Sequence, residues 1–108
     1  MAQILKMRWE GVTPDHYEAL RPIANWESDP PEGLIFHVAW FRDGGIVVMD
    51  VWESSTQFDA FMNDRLAPAI QQIGVEGQPQ MKWIDAHAYF DPAVQRRPSE
   101  VLGSGARG

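Results

Sequence analysis

The stretch "GLIFHVAWFRDGGIVVMDVWES", residues 33–54, constrains this chain more than any other segment. Two apolar runs flank Asp43-Gly44-Gly45, a signal for a tight antiparallel turn, so the segment reads as a β-hairpin. Side chains alternate between the faces of a strand, and an even-numbered loop fixes which residues share a face. With a loop of Asp43-Gly44, or of Arg42 to Gly45, one face holds Ile35, His37, Ala39, Phe41, Ile46, Val48, Asp50 and Trp52. The other holds Leu34, Phe36, Val38, Trp40, Val47, Met49, Val51 and Glu53. The two-residue loop sets His37 directly opposite Asp50. A Gly44-Gly45 loop sets His37 opposite Trp52, with Asp50 on the diagonal. In each case the three share a face.

That face is apolar apart from one imidazole and one carboxylate. A buried charge must pair or reach water, because leaving it alone costs several kcal/mol on the usual reckoning. A histidine held by a carboxylate keeps one tautomer and a raised pKa, which is how a general base is oriented. The same pair also serves as a satisfied core contact. The residues alone leave both readings open.

The elements on either side limit the topology. "QILKMRWE", Gln3–Glu10, alternates Leu5, Met7 and Trp9 against Lys6 and Arg8, which predicts a strand. "VTPDHYEALRPIANW" follows, with Thr13 as N-cap, Pro14 at the first helical position and an inward stripe of Tyr17, Leu20 and Ile23 or Ala24. Pro22 should end or kink this helix early. His16, in its first turn, reads as solvated. Ser54 and Gln57 suit a capping box for a second helix whose inward stripe includes Phe58, Phe61, Met62, Leu66 and Ile73. Pro68 predicts a kink, or two short helices, within it. Gly74 and Gly77 end it, and "PQMKWIDAHAYF" reads as a last strand, with Trp83, Asp85, His87 and Tyr89 on one face. The order β-α-β-β-α-β predicts an α+β, ferredoxin-like fold: a four-stranded antiparallel sheet with both helices on one face. One domain should span 1–95, followed by a flexible tail, 96–108.

Composition narrows the function. At 108 residues and a formal net charge of −6, the chain is a single acidic domain, and that charge argues against a nucleic-acid partner. No run is long and apolar enough for a membrane span, and the start lacks the pattern of a signal peptide, which points to the cytoplasm and to no membrane partner. The absence of cysteine removes disulfides, thiol nucleophiles and cysteine-ligated metals. The three histidines show no metal spacing, and no glycine-rich phosphate loop precedes a helix, so neither metal nor organic cofactor is expected. Five tryptophans and five phenylalanines suit a pocket for a flat molecule. The candidate catalytic residues are His37 and Asp50. Those for contact with a small-molecule ligand are Trp52, Trp26, Phe58, Met62, His87 and Tyr89.

The strand "VVMDVWES" running into a capped helix, and "FDAFMNDRLAPAIQQIG", resemble the dimeric α+β barrel superfamily. The likeness covers Gln3 to about Pro92. "DPPEGLIFHVAWFRDGGIVVMDVWES" is most similar to its branch of small antibiotic-biosynthesis-monooxygenase-like proteins, common in actinobacteria. The resemblance implies a homodimer whose sheets pack face to face, with Phe36, Val38, Trp40, Met49 and Val51 at the interface. It also implies a pocket between helices and sheet, with His37, Asp50 and Trp52 on its side. Members of that superfamily oxidise aromatic polyketides with dioxygen and no cofactor, degrade haem, cyclise polyketides or isomerise lactones. Trp52 matches the tryptophan of the haem-degrading branch, but the first strand has no Asn and the second helix no His. The function expected is therefore a small cofactor-independent oxygenase, cyclase or isomerase using general acid–base chemistry. The alternatives are a non-catalytic small-molecule binding protein or a structural dimer.

Overall fold

The structure is a computed structural model that describes residues 1–92; the expected boundary at 95 and the tail beyond it lie outside the described residues. Four strands, β1 (Gln3–Glu10), β2 (Leu34–Arg42), β3 (Gly45–Trp52) and β4 (Gln80–Asp85), form one antiparallel sheet in the order β2-β3-β1-β4. Helix α1 (Pro14–Ala24) crosses from β1 to β2. Helix α2 (Ser55–Phe61), a π-helical stretch (Met62–Leu66) and α3 (Ala67–Ile73) run without a break between β3 and β4. This is the ferredoxin-like α+β fold, with an open sheet.

The hairpin closes through Asp43 and Gly44, at φ of 50° and 77°, and Arg42 faces Gly45. Positive φ at both loop residues matches the right-handed twist of the strands, so the loop has two residues. His37 consequently lies directly opposite Asp50. Parity breaks lower in β2. Leu34 pairs with Trp52 while Phe36 pairs with Val51, so a bulge at Ile35 moves Leu34 to the helix side of the sheet, contrary to the simple alternation. Gly33, at φ 91°, closes that end by accepting a bond from the Glu53 N–H (2.7 Å). A Cβ at Gly33 would overlap the Gln57 side chain.

Pro22 does not shorten α1. It sits in the last turn, where a missing N–H and a clash with the carbonyl four residues back affect one bond only, and the helix runs to Ala24. Asn25, left-handed at φ 56°, then ends it, its N–H donating to the Arg21 carbonyl at 2.8 Å. Pro68 acts more strongly. It has no N–H for the Asp64 carbonyl, and the turn before it widens, with the Ala67 N–H reaching back five residues to the Met62 carbonyl. The kink or pair of short helices expected there is α2 and α3 around that wide turn. The last strand is shorter than its apolar pattern suggested: the ladder with β1 ends at Gln3 opposite Asp85, and the bond beyond it runs from the Ala86 N–H to the Ala2 carbonyl at 3.0 Å.

The core lies between sheet and helices. Leu5, Trp52 and Phe58 are its largest fully buried side chains. Burying each is worth about 1.5–3 kcal/mol. On the far face of the sheet, Phe36, Val38, Trp40 and Ile84 are exposed.

Candidate functional site

Trp52 stands at the end of β3, and two rings of the helical layer hold it: Phe58 at 5.4 Å, edge to face, and Phe61 at 5.9 Å. Trp83 of β4 backs Phe58 at 5.6 Å. That packing aims the Trp52 indole N–H at Asp50 Oδ2, 3.0 Å away. Asp50 is 5 % exposed, and its other oxygen meets His37 Nδ1 at 2.7 Å, across the β2–β3 ladder. The indole can only donate and the carboxylate accepts from both sides, which places the neutral ring's proton on Nδ1. Nε2 is then an acceptor. It receives the Tyr17 hydroxyl, 2.8 Å away.

Tyr17 comes from the first full turn of α1, whose start is fixed by a reciprocal cap. Thr13 Oγ1 accepts from the His16 N–H, and His16 Nδ1 accepts from the Thr13 N–H, both at 3.1 Å. The phenol and imidazole planes are nearly parallel, at 7° and 6.2 Å. Trp26 closes over both, 5.6 Å from each ring. Burial pushes the Tyr17 phenol above its ordinary value of 10.0, partly opposed by Arg21 nearby. Tyr17 is therefore a neutral O–H donor across the physiological range. The four residues form one chain of hydrogen bonds: Tyr17 to His37 to Asp50, with Trp52 bracing the carboxylate.

This chain lies in the wall of a cavity of ≈ 80 Å³ between sheet and helices. Its other walls are apolar, including Met7, Leu20, Leu34, Val48, Phe58 and Phe61. Histidine, tyrosine and one carboxylate are its ionisable side chains, and none is a lysine or arginine. Among the described residues, no group of three or more metal-ligating side chains converges.

Of the expected site residues, the structure brings His37, Asp50, Trp52, Trp26 and Phe58 to this cavity. Three lie elsewhere. Met62 opens the π-helical stretch and faces a separate groove with Pro68 and Met81. His87 and Tyr89 follow the end of β4 and are exposed, because the strand that would have turned them inward stops at Asp85. His16 is half-buried at one end of the cavity rather than solvated, and its ring accepts from the Thr13 N–H. The polar group at the cavity that the pattern did not single out is Tyr17. Its place in the inward stripe of α1 was legible, but its alignment with His37 depends on how α1 crosses the sheet.

No protein-family model matches the chain, and a comparison with curated proteins finds no match. Solved structures do share its fold. The NE2512 protein of unknown function from Nitrosomonas europaea is 22 % identical, with a TM-score of 0.61 over 84 % of this chain and 94 % of its own. SnoaB, a cofactor-independent oxygenase from Streptomyces nogalater, is 11 % identical, with a TM-score of 0.60 over 82 % of this chain and 95 % of its own. An antibiotic biosynthesis monooxygenase is 10 % identical, with a TM-score of 0.55 over 82 % of this chain and all of its own. The chain has the fold of the antibiotic-biosynthesis-monooxygenase-like proteins.

Proposed function

We propose that this chain is a small acid–base enzyme that removes a proton from a small apolar molecule, in the manner of a cofactor-independent oxygenase, cyclase or isomerase. The observation that carries this reading is the Asp50–His37–Tyr17 chain, set in the wall of an apolar cavity. His37 has no free nitrogen of its own to offer, so the group that meets substrate is the Tyr17 phenol. As Tyr17 Oη accepts a proton from an acidic C–H or O–H of the substrate, its own proton passes to His37 Nε2. The imidazolium so formed is stabilised by Asp50, whose second oxygen stays on the Trp52 N–H. Acid–base help of this kind is worth about 10²–10⁴-fold in rate. The substrate anion is then open to dioxygen, to ring closure or to reprotonation at another atom. Kinship of fold with SnoaB and the antibiotic biosynthesis monooxygenase supports this class of chemistry.

The exposed sheet face supports a second element of the proposal, a homodimer. Phe36, Val38, Trp40 and Ile84 form an apolar surface on the side away from the cavity, and a second copy laid sheet to sheet would cover it without touching the site.

The test is a panel of single-ring phenols and enolisable ketones in D₂O under air, followed by deuterium incorporation and dioxygen uptake. Turnover by the wild type that is lost in both His37→Ala and Tyr17→Phe supports the proposal. Turnover retained in both variants removes the relay from it. Binding without turnover of any member favours a non-catalytic carrier.

A further inference from the structure

Residues 25–33 join α1 to β2, and the chain is in the left-handed region at both ends: Asn25 at φ 56° and Gly33 at φ 91°. Within this span Asp29 donates its N–H to the Asn25 carbonyl, and Leu34, just beyond it, donates to the Pro31 carbonyl. The underside carries Trp26, 9 % exposed, resting on the Tyr17 and His37 rings. Its indole N–H has no hydrogen-bond partner among the described residues, so packing against the core and these two rings holds it to the site. Two cations fasten the segment from outside. Arg21 pairs with Glu27 at the surface (2.8 Å), where salt and water weaken the bond. Arg65 does more. Its Nε and Nη2 reach the Ala24 carbonyl (3.1 and 2.7 Å), and Nη2 also reaches the carbonyls of Asn25 and Asp29, both at 2.8 Å.

Those acceptors explain the choice of residue. The Ala24 and Asn25 carbonyls lie at the C-terminus of α1, where the last turn has no internal donors and the helix dipole favours a cation. A planar guanidinium can span several of them at once, which an ammonium cannot. Arg65 is half-buried, its guanidinium 5.2 Å over the ring of Phe61, a cavity wall. It sits in the π-helical stretch, a widened turn of the sort often found at functional sites.

The cavity is the second observation. At ≈ 80 Å³ it is smaller than the roughly 150 Å³ that accommodates benzene in a protein interior. A ring-sized ligand enclosed there needs a wall to move, and Trp26 is carried on the segment bounded by two left-handed residues and fastened from outside by Arg21 and Arg65.

We propose that residues 25–33 are a lid hinged at Asn25 and Gly33, and that Arg65 is its latch, a positioning residue that holds Trp26 over Tyr17 and His37. This rests on the reading of the cavity as a ligand site, but its first test does not. Amide hydrogen exchange of the free protein compares wild type, Arg65→Ala and Arg65→Lys. The Asp29 and Leu34 amides should exchange at least tenfold faster in Arg65→Ala, and to an intermediate degree in Arg65→Lys, while the amides of β3 keep their wild-type rates. Unchanged lid amides, or equal acceleration of lid and β3, would overturn the proposal, the second because it marks Arg65 as a general stabiliser. Stopped-flow quenching of tryptophan fluorescence with 4-nitrophenol then reads the latch directly. Association and dissociation should both accelerate fivefold or more in Arg65→Ala, with the dissociation constant changing less than either rate. A change confined to the dissociation rate would count against a latch. If 4-nitrophenol binds to none of the proteins while the lid amides respond as expected, the ligand-site reading fails and the hinged segment stands.

Discussion

Tyr17 is the residue on which the proposed chemistry turns, because both ring nitrogens of His37 are engaged and the Tyr17 hydroxyl ends the chain of bonds at the cavity wall. Tyr17→Phe keeps the ring and its stacking but removes the hydroxyl. It should lower turnover by about 10²–10⁴-fold, measured as kcat on whichever substrate the panel identifies, while costing about 1 kcal/mol of stability in urea unfolding. Its effect on pH dependence has a definite sign. Burial raises the phenol above 10.0, so as pH increases the unfolded chain gives up that proton first. The unfolded state then binds fewer protons than the native one, and stability falls with pH. The contribution is intact below pH 10 and is lost from there upward. A wild-type stability curve taken from pH 8 to 11.5 should therefore fall more steeply above 10 than that of Tyr17→Phe; superimposable curves would contradict the burial argument. Asp50→Asn should be more damaging to the fold. It leaves the Trp52 and His37 donors sharing one acceptor in a buried site, at a cost of about 1–3 kcal/mol, read as a lower urea midpoint.

Among the elements, the β2–β3 hairpin was the most legible in the sequence. Asp43-Gly44-Gly45 marked the turn and period-two alternation put His37, Asp50 and Trp52 on one face, while the choice of Asp43-Gly44 as the loop, which sets His37 opposite Asp50, came from the structure. The bulge at Ile35 was not legible, because nothing in "GLIF" departs from a strand pattern; it arises where Gly33 must turn under Gln57. Gly33→Ala should cost about 1–3 kcal/mol, since it combines a strained φ with a steric clash. In a double-mutant cycle, Gln57→Ala should recover the part due to the Gln57 amide and leave the backbone part and the contact with its Cβ. Full recovery would show that φ contributes nothing there. Pro68 was equally readable as a break, but the kind of break was not, because a proline signals the lost hydrogen bond and not how the chain widens around it. The end of β4 at Asp85 is hidden in the sequence for a related reason. Alternation through "AHAYF" continues past the last residue that β1 can pair with.

In the whole molecule, one face of the sheet carries the cavity and the other exposes Phe36, Val38, Trp40 and Ile84. Element order and the single-sided placement of helices were readable from periodicity. The meeting of α1 with β2 was not, since the crossing angle that brings Tyr17 to His37 is set by packing between residues far apart in sequence. The proposed dimer is tested at this scale. Trp40→Glu should shift the chain from dimer to monomer in sedimentation equilibrium while leaving the circular dichroism unchanged. A wild type that is itself monomeric at high micromolar concentration would exclude the sheet-to-sheet assembly. Because the exposed face and the site lie on opposite sides of the sheet, the monomeric variant should retain the Tyr17–His37 hydrogen bond.

The proton relay is tested most directly by ¹⁵N–¹H correlation of the His37 ring, in wild type and in Tyr17→Phe. The expected result is a neutral ring with its proton on Nδ1, in slow exchange behind Asp50, and an Nε2 resonance that moves toward a free, unprotonated nitrogen when the Tyr17 hydroxyl is removed. A proton on Nε2 in the wild type, or an Nε2 resonance indifferent to Tyr17→Phe, would contradict the relay and leave His37 and Asp50 as a structural pair.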